Sequence, residues 1–115
     1  MPTIAEIKAT PDKAVVMMNV DGLITYVNPV FETLFGWTQA EAIGQALTMI
    51  IPPKLRDAHN MGFSRFLTTG KPTLLGKALH LKAVTKDGRE FEAEHFIVAE
   101  QTQGQWQFAA TIQPL

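Results

Sequence analysis

Histidine is the side chain best suited to bind a metal or carry a proton near neutral pH, and this chain has three: His59, His80 and His95. Between 54 and 69, Leu55, His59, Gly62, Phe63 and Phe66 recur at i, i+4, i+7, i+8 and i+11, a spacing that puts them on one face of a helix. The His59 imidazole therefore points inward with the two phenylalanines. In the run 91–98, Phe91, Ala93, His95 and Ile97 alternate with Glu92 and Glu94. Alternate residues of a strand face opposite ways, and the glutamates claim solvent, so His95 points into the core. The same parity turns Leu79 and Leu81 inward and leaves His80 and Lys82 on the surface. An inward imidazole is either a packed, hydrogen-bonded core residue or a ligand to something bound, and the pattern leaves both open.

Other chemistries are poorly served. Ser64 is the sole serine; it follows His59 by five residues on a helix and points elsewhere, so Ser64, His59 and Asp57 make no hydrolytic triad. Asp57 and His59 alone are too few for a non-haem metal site. Cysteine is absent, which removes disulfides, thiolate metal ligands, a cysteine nucleophile and a cysteinyl–flavin adduct, and agrees with a reducing cytoplasm. Gly70-Lys71 and Gly76-Lys77 lack the upstream glycine of a phosphate-binding loop, and there is no dinucleotide fingerprint. None of these chemistries is expected of the chain. Ten Lys/Arg against eleven Asp/Glu leave a net charge of −1, no field to draw nucleic acid or an anionic membrane. The longest apolar runs, 14–18 and 49–51, fall far short of the ~20 residues of a membrane span, and the opening residues lack the basic and apolar blocks of a secretory leader. A cytoplasmic location is expected.

The elements that must position these side chains are punctuated by turn and cap residues. At 115 residues the chain suits one domain with one core. Residues 1–13 read as a cap segment, with a short helix over 4–9. A strand over 13–20 meets Asp21-Gly22, a strong hairpin signal, and returns as 23–27. Asn28 caps and Pro29 opens a helix whose apolar face is Phe31, Leu34 and Phe35, stopped by Gly36. Thr38-Gln39-Ala40-Glu41 is a capping box for a second helix, which stops at Gly44, and 46–51 is a short third piece ended by Pro52-Pro53. The helix over 54–69 is the longest and closes at Gly70. Strands follow over 74–85, 89–100 and 105–112, turned at Lys86-Asp87-Gly88 and near Thr102-Gln103-Gly104. The expected core is Val15, Met17, Ile24, Leu34, Phe35, Leu47, Ile50, Phe63, Leu75, Phe96 and Phe108, with Trp37 at the sheet edge and the side of Trp106 undecided. Two strands, helices, then three strands give an α+β fold with an antiparallel sheet.

Asp21-Gly22-Leu23-Ile24, Val27-Asn28-Pro29-Val30-Phe31, Leu34-Phe35-Gly36-Trp37, Glu41-Ala42-Ile43-Gly44 and Lys86-Asp87-Gly88-Arg89-Glu90-Phe91 occur in that order. Through them the chain, as a single domain over 14–115, resembles a PAS domain. The resemblance implies a five-stranded antiparallel sheet with short helices packed on one face. It also implies a pocket between the layers for a cofactor or small ligand, in a domain that senses and transmits rather than catalyses.

The stretch His59-Asn60-Met61-Gly62-Phe63-Ser64-Arg65-Phe66-Leu67-Thr68-Thr69-Gly70, followed by Leu74-Leu75-Gly76, is similar to the haem-binding PAS domains of the FixL oxygen-sensing kinases. That similarity implies b-type haem with His59 as the proximal iron ligand and Arg65 near a haem propionate. The local pattern agrees: neutral imidazole is a common haem ligand, Gly62 removes a side chain where a flat macrocycle needs room, and Arg65 could reach a carboxylate at the rim. Phe63, Leu74, Leu79, His95 and Ile97 are the expected pocket walls. Two departures stand out. His95 falls where those domains have an apolar residue on the distal side, so it could bond to bound oxygen, ligate iron, or remain a core residue. Leu79 falls where they carry a distal arginine, so an arginine-based oxygen switch does not carry over; Thr73 also replaces a position where a histidine is allowed. The alternatives are another small molecule or flavin held non-covalently, or a ligand-free dimerisation module pairing through 1–13 and the outer sheet face. No output module fits in 115 residues. The expected partners are a second copy, a histidine kinase or other output module, and, with haem, a diatomic gas.

Overall fold

A computed structural model describes residues 2–69, 76 and 78–115. The chain runs α1 (Ile4–Lys8), β1 (Ala14–Asn19), β2 (Ile24–Val27), α2 (Pro29–Phe35), α3 (Gln39–Ala42), two 3-10 turns (Leu47–Ile50 and Pro53–Leu55), α4 (Arg56–Thr69), β3 (Ala78–Val84), β4 (Glu90–Thr102) and β5 (Gln105–Pro114). The five strands form one sheet in the order β2-β1-β5-β4-β3, every neighbouring pair antiparallel. The expected α+β architecture is therefore present. Gly70, Thr73, Leu74 and Leu75, expected to close the long helix and begin the next strand, lie outside the described residues. No helix among the described residues is long and apolar enough to cross a membrane.

The expected helix over 54–69 is split: Pro53–Leu55 is a 3-10 turn, closed by the Leu55 N–H donating to the Pro52 carbonyl at 2.9 Å, before α4 begins. Tandem prolines cannot donate to an α-helical ladder, so the tighter turn forms first. The last hairpin is longer than 89–100 and 105–112 suggest. Thr102 pairs with Gln105 across Gln103 (φ 53°) and Gly104 (φ 78°), and two positive φ values match the twist of flanking strands.

Asn28 joins the two halves of the N-terminal region. Buried at the start of α2, its Oδ1 accepts from the Phe31 N–H at 3.0 Å and the Val15 N–H at 2.9 Å, while Nδ2 donates to the Lys13 carbonyl at 2.8 Å. One amide side chain thus caps α2 and holds it against the first strand. Phe31 and Phe35 then bury fully, with ring centroids 4.6 Å apart. Gly36 ends α2 at φ 82°, as a left-handed cap favours.

The sheet has apolar side chains on both faces, and its core is accordingly double. The inner face packs Ala14, Val16, Ala93 and Ile112 against Ile24, Val27, Phe31, Phe35 and Ile50. On the outer face, Ile4 and Ile7 of α1 pack on Val15, Val98 and Ala109, with Met17, Tyr26 and Phe96 at the margin. Val15 is a buried core residue as expected, but of this second cluster; Met17 and Phe96, also expected in the core, are only partly buried at its margin. The capping-box helix of Thr3 and Glu6 fills the outer face locally, and Glu100 Oε2 accepts from the Ile4 N–H at 3.0 Å. Trp37 packs against the inner core beside the β3–β4 turn, with Lys86 Nζ 5.1 Å from its ring centroid.

Candidate functional site

The inner sheet face and α4 do not close on one another. A cavity of about 560 Å³ lies between them, within the ~300–1,000 Å³ usual for small-molecule sites. Strand register builds its floor. Leu79 pairs with His95, and His95 with Ile112; one step along, Ile97 pairs with Ala110, and Ala110 with Val16. Side chains directly opposite on antiparallel strands share a face, so His95 sits in an apolar row between Leu79 and Ile112. Leu81 lies at the mouth, 43% exposed.

The wall opposite is one face of α4: Ala58, His59, Gly62, Phe63, Arg65 and Phe66. Residues three and four apart fall on one side of a helix. A Cβ at Gly62 would meet no atom within 4 Å, so the helix borders open space there. One end of the cavity is closed by rings. Phe63 stands edge-on to Phe108 at 5.2 Å, and Phe66 contacts Phe108 at 5.5 Å and Trp106 at 5.0 Å. Trp106 is thereby assigned to the inner face. Leu47, Ile50 and Ile51 wall a side.

The expected site residues His59, Gly62, Phe63, Arg65, Leu79, His95 and Ile97 all border this one cavity. Leu74 lies outside the described residues, and His80 is exposed as expected. Sequence reasoning did not single out Val16, Met18, Ala110 and Ile112 as pocket walls. The parity of Phe108 along β5 carries the signal for Ala110 and Ile112.

Two imidazoles face this space in different settings. His59 is half-buried, and loss of water contact lowers its pKa below the usual histidine value. His95 is 5% exposed. Burial pushes its pKa down to about 4; the Leu81 backbone, as a hydrogen-bonding group, pulls it up, and the nearby His59 charge adds to the lowering. Both rings are neutral at pH 7. The His95 Nε2 is buried and has no hydrogen-bond partner among the described residues. Arg65 stands exposed at the rim. The arrangement can hold a largely apolar ligand between two neutral imidazoles, with the Arg65 guanidinium among the lining groups.

Residues 12–113 match the family described as "PAS domain". Over 105 residues the chain is 30% identical to "Sensor protein FixL" of Bradyrhizobium diazoefficiens, an overlap of 91% of this chain and 21% of that protein. It is 33% identical over 73 residues to "Oxygen sensor protein DosP" of Escherichia coli, 64% of this chain and 9% of that protein. The chain thus spans about a fifth of the length of FixL and a tenth of DosP. The crystal structure of a PAS domain from Colwellia psychrerythraea superposes with a TM-score of 0.75 at 20% identity, covering 90% of this chain and 86% of that one.

Proposed function

Because this chain belongs to the PAS family of signal-sensing domains, we propose that it binds b-type haem between the sheet and α4 through His59. In this reading it senses oxygen or another diatomic gas in the cytoplasm and reports to an output partner such as a histidine kinase or a second copy. One observation carries the reading: a half-buried, neutral His59 faces an apolar cavity of ligand size. Among the described residues no cluster of three or more His, Cys, Asp or Glu is placed to hold a bare metal ion. One or two imidazoles are a donor set that would suit haem iron. The similarity to FixL and to the oxygen sensor DosP points the same way.

Haem, when bound, would supply an iron able to take an imidazole and a diatomic gas as ligands. This chain's residues supply the rest. His59, kept unprotonated by burial, offers its lone pair from α4. Leu79, Ile97 and Ile112 line the floor and would keep water from the group, and Phe63, Phe66 and Phe108 at the aromatic end would pack against it. Arg65 lines the same cavity and would be the residue to hold a carboxylate of the group. The gas alters output only through a difference in its affinity for two states of the domain, and the sheet that forms the floor also carries α1 on its outer face.

The test is the absorption spectrum of the purified protein before and after adding hemin, with iron stoichiometry, for the native chain and His59→Ala. A sharp Soret band near one haem per chain, shifted by carbon monoxide after reduction and lost in His59→Ala, is expected. A chain that takes up no haem would instead hold another small molecule or flavin, or act without a ligand. Uptake unchanged by His59→Ala would remove the proximal role.

A further inference from the structure

The haem reading leaves open what His95 does. We infer that His95 is the second protein ligand to the haem iron, so that a gas must displace an imidazole to bind; the inference rests on the haem reading above. Its first support is position. His95 rises from the floor, in the row Leu79–His95–Ile112, while His59 descends from α4 on the opposite wall of the same cavity. The two rings are near enough to influence one another electrostatically.

The second support is an unmet bond. The His95 Nε2 is buried without a partner among the described residues, and an unpartnered buried polar atom costs about 1–3 kcal/mol. A histidine kept only for packing would be replaceable by leucine at no such cost. The strand neighbours in its row, Leu79 and Ile112, are apolar and offer Nε2 no bond.

The third support is the chemistry of the ring. A neutral imidazole carries one nitrogen lone pair that can ligate iron, and metal-bound histidines commonly hold their other N–H against a backbone carbonyl. The Leu81 backbone acts on His95 as a hydrogen-bonding group that favours its charged form.

Electron paramagnetic resonance of the ferric protein and absorption of the ferrous protein, on hemin-reconstituted full chain, test this with no activity assay. Native protein is expected to be low-spin and six-coordinate in both states. His95→Leu, which suits the apolar row, is expected to keep stoichiometric haem but become high-spin and five-coordinate; His95→Gln provides the same reading should the leucine variant fail to fold. If His95 occupies the sixth position in nine of ten ferrous molecules, its removal tightens carbon monoxide binding about tenfold. Haem retained through His59 with a high-spin native spectrum, or a low-spin spectrum unmoved by either His95 variant, overturns the inference while leaving the haem reading intact. Absence of stoichiometric haem in the native chain overturns both.

Discussion

Lowering the pH should destabilise the haem-free protein well before its carboxylates protonate, and His95 should be the main cause. Its folded pKa is about 4, against an ordinary histidine value of 6.5. Between those values the unfolded chain takes up a proton that the folded chain refuses. The stabilisation is therefore complete above pH 6.5, declines as pH falls through the window, and is gone below about 4. The full shift corresponds to about 3 kcal/mol, and the part lost between pH 7.5 and 5 to about 2 kcal/mol. That is a large fraction of the ~5–15 kcal/mol typical of a domain. His59, lowered by burial, acts in the same direction, and the charged group that shares this cavity with the two histidines is Arg65. Glu41, held down to about 2 first by its hydrogen bond from Lys86, and Asp87, held down first by Thr85, lose their contributions only below the ordinary carboxylate range. Urea unfolding of haem-free protein followed by tryptophan fluorescence at pH 7.5, 6.5, 5.5 and 5.0 measures the slope. In His95→Leu the slope should flatten by about 2 kcal/mol over that range, leaving the smaller His59 part. Equal slopes in the two proteins would refute the claim that His95 is buried and neutral.

Asn28→Ala should cost about 3 kcal/mol, from a lost helix cap of ~1 kcal/mol and from the buried Val15 N–H and Lys13 carbonyl left unpartnered. Asn28→Asp, which keeps the acceptor but loses the donor, should fall between, and a chemical denaturation series that ranks the two alike would argue against the double bond. Ala110→Trp places a ring on the cavity floor, where small-to-large changes in a packed core cost about 1–3 kcal/mol but a hollow accepts them. Hemin titration should therefore show stoichiometric uptake lost with the circular dichroism spectrum unchanged; native-like uptake would move the binding site elsewhere.

The elements and their order were legible because each end carries its own chemistry. Asn28-Pro29 and Gly36 bracket α2, and the Thr38/Glu41 capping box starts α3, each through a local bond that needs no tertiary contact. Parity along β4 likewise placed His95 inward, since Glu92 and Glu94 mark the opposite face over that stretch of the strand. Parity along β1 was ambiguous for a physical reason. Ala14–Asn19 is apolar at almost every position because α1 covers the outer face while α2 covers the inner one, so Val15 and Val16 are equally hydrophobic yet belong to different cores. What periodicity cannot carry is the distance between two faces that both read as buried. His59, Phe63 and Phe66 on α4, and His95, Ile97 and Phe108 on the sheet, would give the same pattern in a solid core. The space arises because α4 meets the sheet through aromatic contacts at one end, Phe63 and Phe66 on Phe108 and Trp106, while Ala58, Gly62 and Ala110 leave the middle without side-chain volume. Close packing normally eliminates such a gap. A hollow bordered by two histidines, one with an unmet nitrogen, is therefore costly to the empty protein and is repaid when a ligand fills it. That is the physical reason to expect a ligand that fills the cavity to stabilise the fold.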